Sequence, residues 1–156
     1  MNPVKIIGYG NPGRQDDGIA AAMIEKIQQW LDQQTYGNHV TAYSCYQLNI
    51  EDAERIADAD LVFFIDASRN QVESYQVTEI KPDQQSVFTS HGVSPQYVVG
   101  LCEALYFSKP LAYLLEIKGY EWEFREELSS GASRNIAQAF RFLTDFLCHR
   151  YFKVLN

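Results

Sequence analysis

An α/β sandwich on a mostly parallel, mixed sheet is the fold this sequence predicts, and three observations predict it. Short apolar runs alternate with stretches whose apolar residues recur at helical spacing, the pattern of strands joined by crossover helices. One run, Leu61 to Ile65 (LVFFI), is apolar throughout, as in a strand buried on both faces. The segment Tyr75 to Ile80 follows Asp66 too closely for a helical crossover, so it is expected to enter antiparallel and make the sheet mixed.

Val4 to Tyr9 is a short, nearly continuous apolar run and reads as the first strand. From Gly18 onward, Ile19, Met23, Ile27, Trp30 and Leu31 recur at helical spacing, with Gly37 as a stop. Asp16 or Asp17 is placed to cap that helix, because a carboxylate accepts the unpaired N–H groups of a first turn. Val40 to Tyr46 reads as a second strand, Ile50 to Ala59 as a short helix, and LVFFI as a third strand ending at Asp66. Tyr75 to Ile80 alternates like a half-exposed strand and is closed by Pro82. A polar loop holding His91 precedes a helix from about Ser94 to Tyr106; Ala112 to Ile117 is a further strand. Ser129 or Ser130 opens a last helix with Ile136, Phe140, Leu143 and Leu147 on one face. No repeat, linker or low-complexity tract divides the 156 residues, so a single domain is expected.

Composition excludes several functions. A formal charge of −7 leaves no basic excess to neutralise phosphates, so neither nucleic acid nor an anionic membrane is an expected partner. No apolar run approaches the ~20 residues of a membrane span. The N-terminal stretch, an apolar strand with one lysine, does not read as a signal peptide. Cys45, Cys102 and Cys148 are odd in number and widely spaced, which suggests a reducing cytoplasm over a disulfide framework or thiolate zinc site. The 10 Tyr and 9 Phe suit an interface or a large core alike, so oligomeric state stays open.

After the first strand comes Gly8-Tyr9-Gly10-Asn11-Pro12-Gly13, a literal G-x-G-x-x-G. A dinucleotide loop needs its helix to begin within the glycines, and an acid about 20 residues on for the ribose. Here Pro12, Arg14 and Gln15 delay the helix, the second strand ends without an acid, and Asp16 and Asp17 would repel a pyrophosphate. A nucleotide-binding α/β enzyme is therefore a minor alternative. Gly8 and Gly10 are better explained as letting the backbone turn sharply and pass close to a bound group.

In an open parallel sheet, ligands bind beyond the carboxyl ends of the strands. Asp17, Asp66 and His91 all fall at that edge if the strand assignments hold. Each has a plainer reading: Asp17 as a helix cap, Asp66 as a carboxylate bonded to loop amides, His91 as an ordinary loop histidine. His39 and His149 carry only the plainer one. Together, two carboxylates and an imidazole suit a borderline divalent metal such as nickel or zinc, or acid and base chemistry without metal. No G-x-S-x-G is present, and Ser68 and Ser90 have no nucleophile-elbow context.

The stretches GYGNPGRQDDGIA, FFIDAS and TSHGVSPQ, in this order and spacing, resemble the [NiFe]-hydrogenase maturation endopeptidases. The resemblance continues through LCEALYFSKPLAYLLEIKGYEWEFREELS and covers the chain to about Leu147. It implies a three-layer α/β/α sandwich. It also implies a peptidase, grouped with the aspartic type, that removes the C-terminal extension of a nickel-loaded large-subunit precursor. The family's metal-contacting positions fall on Asp17, Asp66 and His91. Asp16 matches the preceding acid, and with Gly8, Gly10 and Asn11 is assigned to shaping and supporting the loop. The nickel is expected to arrive with the substrate, with no tightly held cofactor of the protein's own. One departure is Arg125, where similar sequences are expected to carry glycine. A module that recognises nickel or the precursor without cutting it would use the same three residues and stays open.

Overall fold

A computed structural model describes residues 3–35, 37–70, 72–82 and 92–151. Five strands form one sheet: β1 Val4–Tyr9, β2 Val40–Cys45, β3 Leu61–Ser68, β4 Tyr75–Glu79 and β5 Leu111–Lys118, in the order β2-β1-β3-β5-β4. The first four of that order run parallel, and β4 joins the edge antiparallel to β5. The helices are α1 Ile19–Leu31, α2 Asp52–Arg55, α3 Pro95–Tyr106 and α4 Ser130–Phe146.

Three layers follow from the alternation of side chains along each strand. Val4, Ile6, Phe63, Ile65, Leu115 and Ile117 face α1 and α4. Ile7, Val62, Phe64 and Ala112 face the opposite way, against Ala53, Ile56, Val98, Val99 and Cys102 of the α2 and α3 layer. LVFFI is apolar throughout because both of its faces are covered. The face of α1 is Ile19, Met23, Ile27 and Leu31, and that of α4 is Ile136, Ala139 and Leu143, continued by Leu147 just past its end; Trp30 and Phe140 pack at the margins.

Several boundaries differ from expectation. The helix expected over Ile50 to Ala59 is one turn, Asp52–Arg55, set by the Asp52 carboxylate accepting from the Asn49 N–H (2.8 Å) and the Tyr43 hydroxyl (3.1 Å). β3 does not end at Asp66. It continues to Ser68 because β5 is equally long and pairs with it throughout. Gly37 does not stop α1, which ends at Leu31; Gly37–His39 is a separate short 3-10 segment. Ser94 and Ser129 cap α3 and α4, accepting from the N–H groups of Tyr97 and Ala132 at 3.1 Å each.

Phe63 is fully buried, stacked on Tyr113 and edge-on to Phe146, with ring centroids 5.3 Å away in each case. Phe63→Ala is expected to lower unfolding free energy by about 3–5 kcal/mol, read from the guanidinium midpoint.

Candidate active site

Strand register builds a polar row at the carboxyl edge of the sheet. Tyr9 lies opposite Cys45, and Asp66 opposite Glu116. Gly8 lies opposite Ile65, so Tyr9 falls level with Asp66. One level below, Ile7, Phe64 and Leu114 stand in register on the same face. The side chains of Cys45, Tyr9, Asp66 and Glu116 therefore begin where the apolar core of the α2 and α3 layer ends. A cleft of about 340 Å³ opens there, lined by Tyr9, Asp17, Tyr46, Asp66, Glu116 and Trp122 among others. A larger depression of about 690 Å³ between Tyr75 and the Arg141–Phe146 stretch of α4 lies away from these strand ends.

The glycine loop delivers Asp17 to this cleft. Gly10 sits at φ +143°, and a Cβ there would run into the carbonyl oxygen of Asp17. Its N–H donates to the Cys45 carbonyl at 3.1 Å. The Asn11 side-chain oxygen accepts from the Gly13 N–H at 2.9 Å, closing the turn. The Asn11 N–H donates to the Asp17 carboxylate at 2.8 Å. Asp17 thus does not cap a helix. α1 begins at Ile19, its N-cap is Gly18, and no side chain caps it. A pyrophosphate brought to that helix end would meet Asp17.

Asp16 points the other way, into the protein, and does not cap α1 either. It is 0% exposed. Its carboxylate accepts from the N–H groups of Tyr120 (2.7 Å), Glu121 (3.0 Å) and Ser129 (2.8 Å) and from the Ser129 hydroxyl (2.7 Å). Gln15 adds to the seam: its N–H donates to the Arg125 carbonyl (2.7 Å), and its side-chain oxygen accepts from the Glu123 N–H (2.8 Å). Together they bind the loop between β5 and α4 to the loop after β1, and so fix Trp122 at the cleft wall. Arg125, where glycine was expected, is not among the described residues with positive φ, so its backbone makes no demand for glycine; Gln15, at φ 44°, is.

Burial pushes the Asp66 carboxyl up to about 7, and the negative charges of Asp17 and Glu116 add to the rise. Hydrogen bonds from the Ala67 N–H and the Tyr9 hydroxyl hold it back in part. Burial, reinforced by the Asp66 charge, holds the Tyr9 phenol well above its usual range, so it remains a hydroxyl donor. Burial would raise Asp16 too, but the hydrogen bonds from Ser129, Tyr120 and Glu121 outweigh it and leave the carboxyl below its usual value.

The structure brings Asp17 and Asp66 to one cleft. His91 lies outside the described residues. Gly92, which follows it, bridges Leu48, and Val93 joins the core on the face of the polar row. Among the described residues, no three His, Cys, Asp or Glu side chains converge to hold a metal ion; Asp17 and Asp66 offer carboxylate oxygens for part of a ligand set. Sequence reasoning missed Tyr9, Glu116, Arg69 and Trp122. Glu116 had a signal, a charge inside the apolar run LAYLLEIK, and Tyr9 stood between two glycines already singled out. Trp122 had none, because contacts distant in sequence bring it to the cleft. Ser68 is buried and its hydroxyl accepts from the Asn70 N–H (3.1 Å), a structural role.

The fold is that of the [NiFe] hydrogenase maturation proteases. Among solved structures, the maturation protease HycI of Thermococcus kodakarensis matches with a TM-score of 0.72 at 20% identity, over 95% of this chain and 94% of its own. The maturating endopeptidase HybD of E. coli matches with a TM-score of 0.67 at 20% identity, over 96% and 94%. The endopeptidase HycI of Escherichia coli gives 0.68 at 14% identity, over 92% and 90%. No family model and no curated protein sequence matches the chain. At these identities the likeness is one of fold. Among the described residues no helix is long and apolar enough to cross a membrane.

Asp16→Asn places an amide among donors and is expected to cost about 2–4 kcal/mol at neutral pH. The folded carboxyl is depressed, so this difference is full above about pH 4 and closes as pH falls through the folded value. Chemical denaturation at a series of pH values checks it. For Asp66 the sign reverses. Its folded value is raised, so its contribution is full below about pH 4 and is lost as pH rises through about 7. In metal-free protein its carboxyl carbon is expected to titrate near 7 by NMR, and Asp66→Asn to gain thermal stability over wild type across that window.

Proposed function

We propose that this protein is an endopeptidase that removes the C-terminal extension of a nickel-loaded [NiFe]-hydrogenase large-subunit precursor. The observation that carries the reading is the meeting of Asp17 and Asp66 in one cleft, at the carboxyl edge of a sheet with the maturation-protease fold. His91 joins them through the sequence resemblance. Nickel enters as part of the substrate, and Asp17, Asp66 and His91 supply ligands that the loaded precursor lacks. Cleavage is thereby gated, because an empty precursor has no metal to dock on.

The chemistry follows from the two carboxylates. Asp17, anchored by the Asn11 N–H, presents its remaining lone pairs to the cleft. Asp66, ionised once the cation is engaged, is suited to hold the metal through one carboxylate oxygen and to take a proton from an attacking water with the other, returning it to the leaving amine. The metal carried by the substrate polarises the scissile carbonyl. We place the reaction in the cytoplasm, in keeping with three free cysteines.

Asp17→Ala, Asp66→Ala and His91→Ala, each tested alone on nickel-loaded precursor, are expected to slow processing by at least about 100-fold without loss of the folded circular-dichroism spectrum. Nickel-free precursor is expected to stay uncut by wild type on the same gel. Full processing by all three variants would rule the assignment out.

A further inference from the structure

The cleft lined by three carboxylates, Asp17, Asp66 and Glu116, also holds an arginine. Arg69 follows the end of β3, and its guanidinium lies over the Trp122 ring, 4.0 Å from the centroid. That is close stacking for a cation on an indole. The platform is itself fixed. The Trp122 carbonyl accepts from Arg14 Nε at 3.0 Å, and the indole packs so tightly on Gly119 that a Cβ there would lie 2.8 Å from Trp122 Cη2. The flanking Tyr120 and Glu121 are held by the buried Asp16 carboxylate.

Stacking occupies the face of a guanidinium and leaves its N–H edge free. Among the described residues that edge makes no ion pair: the ion pairs formed are Lys5–Asp58, Arg55–Asp52 and Lys109–Glu103. Nor does Arg69 donate a side-chain hydrogen bond within the described residues, although carboxylates line the same cleft. An exposed arginine that lies over an aromatic wall, and whose fork has no partner among the described residues, is preorganised for a planar anion.

We propose that Arg69, held over the Trp122 ring, forms a subsite for a carboxylate of the polypeptide that enters the cleft. Asp17, Asp66 and Glu116 line the same cleft and disfavour an acidic side chain beside them, whereas the Arg69 fork attracts one. The subsite therefore fixes the direction and register in which the chain crosses Asp17 and Asp66. That the ligand is a polypeptide rests on the endopeptidase reading; that it is a carboxylate rests on Arg69 and Trp122 alone.

The two parts are tested separately. In an NMR titration of the full-length protein with acetyl-Gly-Asp-Gly-amide, the Trp122 indole N–H signal is expected to shift saturably. The Asn counterpart of the peptide is expected to leave it unmoved, as is the Asp peptide added to Arg69→Gln. Equal shifts with the Asn peptide, or undiminished shifts in Arg69→Gln, would overturn the subsite. Inorganic phosphate displacing the Asp peptide at equal or lower concentration would overturn the carboxylate assignment in favour of phosphate. On nickel-loaded precursor, Arg69→Gln is expected to raise KM about tenfold and to act on KM more than on kcat. Neutralising the precursor's acidic residues beside the cut is expected to raise KM for wild type but add little in Arg69→Gln; additive losses would overturn it. Wild type that shifts with the peptide yet cuts no precursor overturns the endopeptidase reading and leaves the carboxylate subsite supported.

Discussion

The buried carboxylate of Asp16 holds the two halves of the site together. A charge with no solvent exposure is costly unless hydrogen bonds replace the water it has lost. Asp16 meets that condition with backbone N–H groups from both ends of the loop between β5 and α4, and with the hydroxyl that caps α4. One side chain thereby ties the turn after β1, the loop carrying Trp122 and the first turn of α4 to a common point. The orientation of Asp17 depends on this as well, since its neighbour cannot turn outward without leaving a buried charge-assisted network. The two adjacent acids divide the work, one structural and the other facing the cleft.

The second constraint is the level at which apolar side chains give way to polar ones. Ile7, Phe64 and Leu114 close the core, and Tyr9, Asp66 and Glu116 stand one step further along the same face. A carboxylate in that position is largely out of water yet open to a ligand. Its proton affinity rises into the neutral range for that reason, with the Asp17 charge as a smaller contributor. Solvation, more than pairing, thus sets the chemistry available to Asp66. Occupation of the cleft by a cation would lower its proton affinity and return it to the ionised state.

Much of the fold was legible because its signals are local. LVFFI, the α1 and α4 faces, and the short interval before Tyr75 each announced an element or a direction. The boundaries that shifted were decided by partners far away in sequence: β3 runs past Asp66 because β5 pairs with it, and α2 is a single turn because Asp52 is engaged by Tyr43 and Asn49. The site was half legible. Asp17 and Asp66 could be placed at the strand ends from the chain alone. The reason two acids follow each other could not, since the partners of Asp16 lie more than a hundred residues away. Arg69 and Trp122 are invisible for the same reason, being joined only across the finished fold.

Everything proposed for the cleft between Asp17 and Asp66 turns on whether it cuts a nickel-bearing precursor. The most direct test is the intact mass of a candidate large-subunit precursor, nickel-loaded, incubated with this protein and with its Asp66→Asn variant. Wild type is expected to shorten the precursor at its C-terminus by one defined fragment, and the variant to leave the mass unchanged. A precursor whose mass is unaltered by wild type, or one shortened equally by the variant, would contradict it.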